Sequence, residues 1–283
     1  MARRTLAAEV RIEGIALHAG VRTKVALNPA PPGTGIVFRR CDLVASKPIP
    51  ALWSSVVETR LGTVIADEGG ASVGVVEHLL SALDGAEIDD CLVEIDGPEP
   101  PILDGDAMSF LRRIEQAGVQ DLRGDRPELH MRRPVEVKLG DASCGLYPAD
   151  KKEFYFEIDF PSAAIGRQEF AFVFSSDSFR NEIASARTFG FLDEAEMLRA
   201  SGLARGADLS NTLVIDGDKV INSEILRFPN EFVRHKILDA IGDMKLAGFP
   251  IRARFEGRRS SHALNNKLLQ ALFADPENYE ISV

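Results

Sequence analysis

The run EFVRHKILDAIGD, residues 231–243, has the spacing of a helix with two unlike faces. His235, Asp239 and Asp243 recur at steps of four, so their side chains stack one above the other. Val233, Ile237, Ala240, Ile241 and Met244 gather roughly opposite His235, at about 100° per residue. One face therefore packs on a core while the other presents an imidazole and a carboxylate. Gly242 falls on that polar face, where its missing side chain leaves room for a close neighbour. Taken alone, this is more simply a surface helix whose His–Asp pair is worth about 0.2–0.5 kcal/mol, because HxxxD is a weak motif.

The rest of the chain gives that helix a counterpart. Aligning VEHLLSALDG (76–85) with VRHKILDAIG (233–242) sets His78 against His235 and Leu80 against Ile237, though later positions need a shift. Both halves read as strands, helix, strand, helix. Short strand-like pieces fill the first 40 residues; GVVEHLLSALDGA, DDCLVEIDG and DAMSFLRRIEQAG follow as helix, strand and helix, with Asp106 a candidate N-cap and Gly118 a stop. The polar stretch DLRGDRP (121–127) has no apolar period and is the best domain boundary. After it the pattern restarts, through ELHMRRPVEVKLG, EFYFEIDF and QEFAFVF, a helix near 176–184, the 231–243 helix, the strand PIRARFEG and a last helix from Ser261. This predicts a duplication in which two related domains bring both histidines to one cleft. Chance similarity between two amphipathic helices is the alternative.

Composition bounds the function. The 283 residues are 45% apolar, enough for a sizeable core and two modest domains. A formal charge of −10 and a pI near 5.1 argue against a nucleic-acid partner. MARRTLAAEV has basic residues with no apolar segment behind them, and no apolar run approaches the roughly 20 residues that span a bilayer. Cys41, Cys91 and Cys144 follow neither disulfide nor CxxC metal spacing. The expectation is a soluble, cytoplasmic protein without a transmembrane segment.

His235 and Asp239 from one helix with His78 from another make a His₂Asp set, the arrangement of a catalytic zinc site with one open position. Glu77, directly before His78, can reach a metal-activated water without being a ligand. Zinc drops the pKa of such a water from about 15.7 to about 7. A departing amine needs an acid, for which His262 is the candidate, and Asp243 can hold that imidazole charged. The helix N-terminus pushes the other way.

These residues lie in six motifs: GIALHAG (14–20), VVEHLLSAL (75–83), PILDGDAMSF (101–110), SARTFGF (185–191), FVRHKILDAIGD (232–243) and SHALNNKLL (261–269). In that order, and nearly end to end, the chain resembles the UDP-3-O-acyl-N-acetylglucosamine deacetylases, the zinc amidases of lipid A synthesis in Gram-negative bacteria. The resemblance implies His78, His235 and Asp239 as zinc ligands, with Fe2+ the alternative in the cell. It implies Glu77 as general base, His262 as the catalytic histidine, Asp243 as its orienting partner and Thr188 as the hydroxyl that stabilises the oxyanion. Lys236, Phe189, Phe191, Asp159 and Phe160 fall on substrate-binding positions, for a monomer acting on a UDP-linked acylated glucosamine. The implied fold is α+β, with two similarly folded domains, each a helix layer on a β-sheet. Their helices face each other across the active site, and each domain carries one insert. The domains would span 1–122, with an insert at about 51–68, and 128–283, with an insert at about 193–222 that encloses the acyl chain.

Plainer readings stand beside these. His18 serves a turn as readily as catalysis, His130 has no partner motif, and Arg187 either binds phosphate or pairs with a carboxylate. DGPEPPILDGD is better read as a structural loop than as a metal cluster, its prolines fixing the backbone and Asp104 and Asp106 taking turn or cap hydrogen bonds. EFYFEIDF reads as a core strand with one functional end. Ser261 stands where the family usually has glycine, and Asn230 where an acid is common. A non-haem iron oxygenase also uses two histidines and a carboxylate, but Glu77 and His262 favour hydrolysis. Their presence with Asp243 also argues against a catalytically dead binding protein. A deacetylase of another acyl-sugar remains an alternative.

Overall fold

The computed structural model describes residues 1–222 and 226–283. Its strands alternate inward and outward residues, as in Ile251–Arg258, where Ile251, Ala253, Phe255 and Gly257 are buried. That period of two puts one sheet face on a core.

Strand pairing shows the duplication. In the first half the order is Val10–Ile15, Arg22–Pro29, Cys91–Ile95, Ile36–Arg40, Ile49–Pro50. In the second, Val135–Leu139, Ala142–Pro148, Ile251–Arg258, Glu153–Asp159 and Arg167–Val173 repeat it. Both share one sense of pairing: antiparallel except for a single parallel ladder, Ile36–Arg40 with Cys91–Ile95 and Glu153–Asp159 with Ile251–Arg258. Each half also has an antiparallel pair joining its two ends, Ala2–Leu6 with Val119–Asp125 and Glu128–Met131 with Tyr279–Ser282. Glu128–Met131 additionally joins Ile251–Arg258, which makes the second sheet seven-stranded. Residues 121–125, read from sequence as linker, thus form most of an edge strand. Apart from Val119 and Leu122 the strand is polar, and none of its residues is buried. We infer that the two units divide at residues 126–127, between these strands, where the sequence expectation is 1–122 and 128–283.

Each half inserts a small sheet ahead of its central helix: Val56–Glu58, Val64–Ala66 and Ser72–Val73 in the first, Phe189–Phe191, Leu213–Asp216 and Lys219–Val220 in the second. The helices are α1 (Glu77–Gly85), α2 (Met108–Ala117), the single turn α3 (Ser176–Ser178), α4 (Leu192–Ala200), α5 (Glu231–Lys245) and α6 (His262–Phe273). Leu79, Leu80 and Leu83 of α1, with Phe110 and Leu111 of α2, join Leu27, Phe38 and Val93 of the first sheet in the buried core. Ile237 and Ile241 of α5 and Leu268 and Leu269 of α6 do the same with Leu146, Phe156 and Phe255. The fold is two similar α+β units whose helices meet.

The meeting is between α1 and α5. Both faces of α5 are buried, the apolar one on its own sheet and the polar one against α1. Burial of the polar face requires Gly242, because a Cβ there would collide with the Glu77 carbonyl of α1. Asp84 at the far end of α1 adds a buried link to the second unit, pairing with Lys152 and, at 3.4 Å, with Lys245. Burial alone would push its carboxyl up, but the two ammonium groups outweigh that and hold it low. Gly242→Ala should therefore destabilise the chain despite alanine's better helix propensity of about 1 kcal/mol. The obstacle is backbone rather than a movable side chain, and such overpacking costs about 1–3 kcal/mol. A thermal melt should show a lower Tm; an unchanged or raised Tm would mean that α1 and α5 separate at no cost.

Candidate metal centre

At the contact of the two helices, α1 contributes its first turn. It is aimed there by Val75, whose φ of 53° is rare for a β-branched residue. Such a strained turn marks a position that the surroundings over-determine. Glu77 and His78, the first residues of α1, then face His235, Asp239 and Asp243 along α5. All five are buried.

His78 Nε2 lies 3.6 Å and His235 Nε2 3.3 Å from the same atom, Asp239 Oδ1. The three candidate ligand atoms all fall within 4.8 Å of one another. The rings are 5.0 Å apart and nearly perpendicular, at 89°. His235 Nδ1 donates to the Ala186 carbonyl at 3.1 Å, which leaves the Nε2 lone pair directed at the group. Burial drives the His235 pKa down to about 3 against the pull of Asp239, so the ring is neutral, the form that binds metal. Asp239 Oδ2 accepts from Lys236 Nζ at 2.9 Å. Oδ1 is buried and has no hydrogen-bond partner among the described residues. A buried carboxylate oxygen without a donor, facing two imidazole nitrogens, fits a cation between them. No other such group of three occurs among the described residues.

A second cluster adjoins the first. His262, the first residue of α6, has Nδ1 at 2.8 Å from Asp243 Oδ2 and Nε2 at 3.8 Å from Glu77 Oε1. Ser261 caps α6 by accepting from Leu264 N at 3.4 Å, so serine holds the helix start. Burial disfavours the charged ring of His262, but Asp243 and Glu77 more than reverse this and raise its pKa to about 10. Burial also raises the pKa of Glu77, partly offset by His262 and His78. The result is a carboxyl group and an imidazole held in its protonated form side by side, next to the three converging candidate ligands.

A sequence model of the UDP-3-O-acyl N-acetylglycosamine deacetylases matches residues 3–274. The chain belongs to this deacetylase family. Among its relatives of that name, the protein of Phenylobacterium zucineum is 45% identical over 282 residues, covering 99% of this chain and 96% of its own. That of Myxococcus xanthus is 46% identical, covering 99% and 88%. The Neisseria meningitidis FAM18 protein is 42% identical, covering 99% and 92%.

The other residues singled out in this deacetylase-family chain group as follows. Phe160 packs edge-on against Phe189 and at a tilt against Phe191, with ring centroids 5.7 and 5.8 Å away. Phe189 lies 6.2 Å from the His235 ring, and Lys236 Nζ sits 5.4 Å over it. Asp159 pairs instead with Arg259. Thr188 follows two residues after the Ala186 carbonyl that anchors His235, its own backbone tied to Gly105 and Leu213. Arg187, open between two readings, pairs with the fully buried Glu231. His18 bridges turns, at 2.9 Å from the Leu61 carbonyl and 3.3 Å from the Ala204 amide. In the proline-rich loop Asp106 accepts from Ser109 N at 3.0 Å at the start of α2, and Glu99 accepts from His18 N and Ala19 N, which are structural tasks. Sequence reasoning missed Thr63 and Asn265, both of which donate to Asp243, at 2.6 and 2.9 Å. Asn265 stands inside the SHALNN motif; nothing around Thr63 marks it.

Proposed function

We propose that this amide hydrolase removes acetate from the C2 acetamide of UDP-3-O-(3-hydroxyacyl)-N-acetylglucosamine, using zinc held by His78, His235 and Asp239. The observation that carries the reading is the partnerless Asp239 Oδ1 facing two imidazoles, with Glu77 and His262 adjacent. Two imidazoles and a carboxylate suit Zn2+, and the same donors accept Fe2+. A bound ion supplies Lewis acidity, lowering the pKa of a water from about 15.7 to about 7 and polarising a carbonyl.

The protein's part follows from its own contacts. Glu77, with Oε2 fixed by Thr63 N at 2.9 Å, takes a proton on Oε1 from the water that attacks the acetamide carbon. The Thr188 hydroxyl donates to the oxyanion as the carbonyl bond opens. His262, whose Nδ1–H is held by Asp243, gives its Nε2 proton to the amine as the C–N bond breaks. Acetate and UDP-3-O-acyl-glucosamine are the products. Lys236 contacts the polar head, Phe189 and Phe191 lie near the sugar and acyl chain, and Asp159 and Phe160 near the nucleotide; the aromatic cluster beside His235 supports the aromatic part of this reading. The exposed apolar side chains of Leu192, Met197 and Leu209 in the second insert support contact with the acyl chain there.

The test compares UDP-3-O-(3-hydroxyacyl)-N-acetylglucosamine with UDP-N-acetylglucosamine, which lacks the acyl chain. Acetate release should be confined to the acylated substrate or strongly favour it. Equal rates on both would remove the acyl chain from the account. The pH dependence has a defined sign. The Asp243 carboxylate raises the pKa of His262, so Asp243→Asn lowers it and the acid form is lost at lower pH. The alkaline limb of kcat should shift downward in that variant; an unmoved limb would mean that His262 is not the acid.

A further inference from the structure

Thr63 stands just before Val64–Ala66 in the first insert, buried, with all three of its polar groups engaged. Its hydroxyl donates to Asp243 Oδ1 at 2.6 Å and its amide to Glu77 Oε2 at 2.9 Å. Its carbonyl accepts from Val76 N at 3.3 Å. The preceding Gly62 has φ 143°, and a Cβ there would sit 2.9 Å from Glu77 Oε1. Glycine is thus what lets this backbone close on the carboxylate. Asp243 Oδ2 is shared by His262 Nδ1 and Asn265 Nδ2, and Asn265 is held in turn by Ser260 at 2.8 Å. Among the described residues the Thr63 hydroxyl is the only donor to Oδ1. Without it the carboxylate is tethered on one side and can turn about its terminal torsion, which is broad, taking the imidazole with it.

We propose that Thr63 is a positioning residue that sets the separation between Glu77 and the Asp243–His262 pair. It comes from the first unit and reaches a carboxylate of the second, so it also makes that separation depend on how the two units seat. The inference rests on the acid and base roles proposed above. Thr63 acts through groups that it orients, so its loss should appear in kcat rather than KM.

Thr63→Val keeps shape and amide but removes the hydroxyl. It should lower kcat by roughly 10- to 100-fold, the usual effect of losing a supporting hydrogen bond, with KM and metal content near those of the unaltered protein. Thr63→Ser should recover most of the turnover. In an Asp243→Ala background Thr63→Val should have a much smaller effect, since only the longer approach of its hydroxyl to His262 Nδ1, at 3.4 Å, remains. The downfield Nδ1 proton resonance of His262 should broaden in Thr63→Val and persist in Thr63→Ser. Equal impairment of valine and serine variants, a full loss in the Asp243→Ala background, or an unchanged resonance would each overturn the proposal. If the unaltered protein releases no acetate, the deacetylase reading fails, and the resonance still decides the positioning role.

Discussion

Glu77→Ala should lower kcat by roughly 10²–10⁴-fold, the range for removing a general base, while the protein keeps about one equivalent of zinc. The two halves of this expectation come from separate features. Glu77 is not one of the three candidate ligands His78, His235 and Asp239, so removing it leaves those donors in place. Its Oε1 instead faces His262 Nε2 at 3.8 Å, too long for a hydrogen bond. That spacing suits reacting atoms between base and acid. Kinetics and metal analysis on one preparation check the claim. Near-normal turnover would remove Glu77 as base, and loss of metal would make it a ligand.

His235→Ala should fail in the other way, losing the metal first and activity with it. A site of three protein donors drops to two. The partnerless Asp239 Oδ1 loses a neighbour at 3.3 Å, and the Ala186 carbonyl loses its donor. Metal per chain should fall well below one equivalent, and acetate release should fall to background and recover only with excess zinc. Full occupancy in this variant would mean that the ligand set is wrong.

The site was more legible than its supports. Helical spacing puts His235 and Asp239 on one face, though HxxxD alone is a weak motif, and the alignment of α1 with α5 adds His78 as a candidate, because side chains that share a helix face keep a sequence period. The empty position at Gly242 was legible as room for a neighbour; that the neighbour is the Glu77 backbone was not. Thr63 is invisible for a physical reason. Its contacts span 14 and 180 residues, and a lone threonine in a short strand-rich insert carries no period. Residues 121–125 of the strand Val119–Asp125 read as linker because an edge strand with no buried residue loses the alternation that marks strands. The duplication showed in one pair of helices, whereas its full extent lies in strand pairings between residues far apart in the chain. The fold class came with the family resemblance rather than from periodicity, which gives faces but not partners.

The most direct test of the account is acetate release from UDP-3-O-(3-hydroxyacyl)-N-acetylglucosamine before chelation, after it, and with zinc restored. The account predicts activity that is abolished by chelation and returns at about one equivalent of zinc per chain. Undiminished release from metal-free protein, or none under any condition, would contradict it.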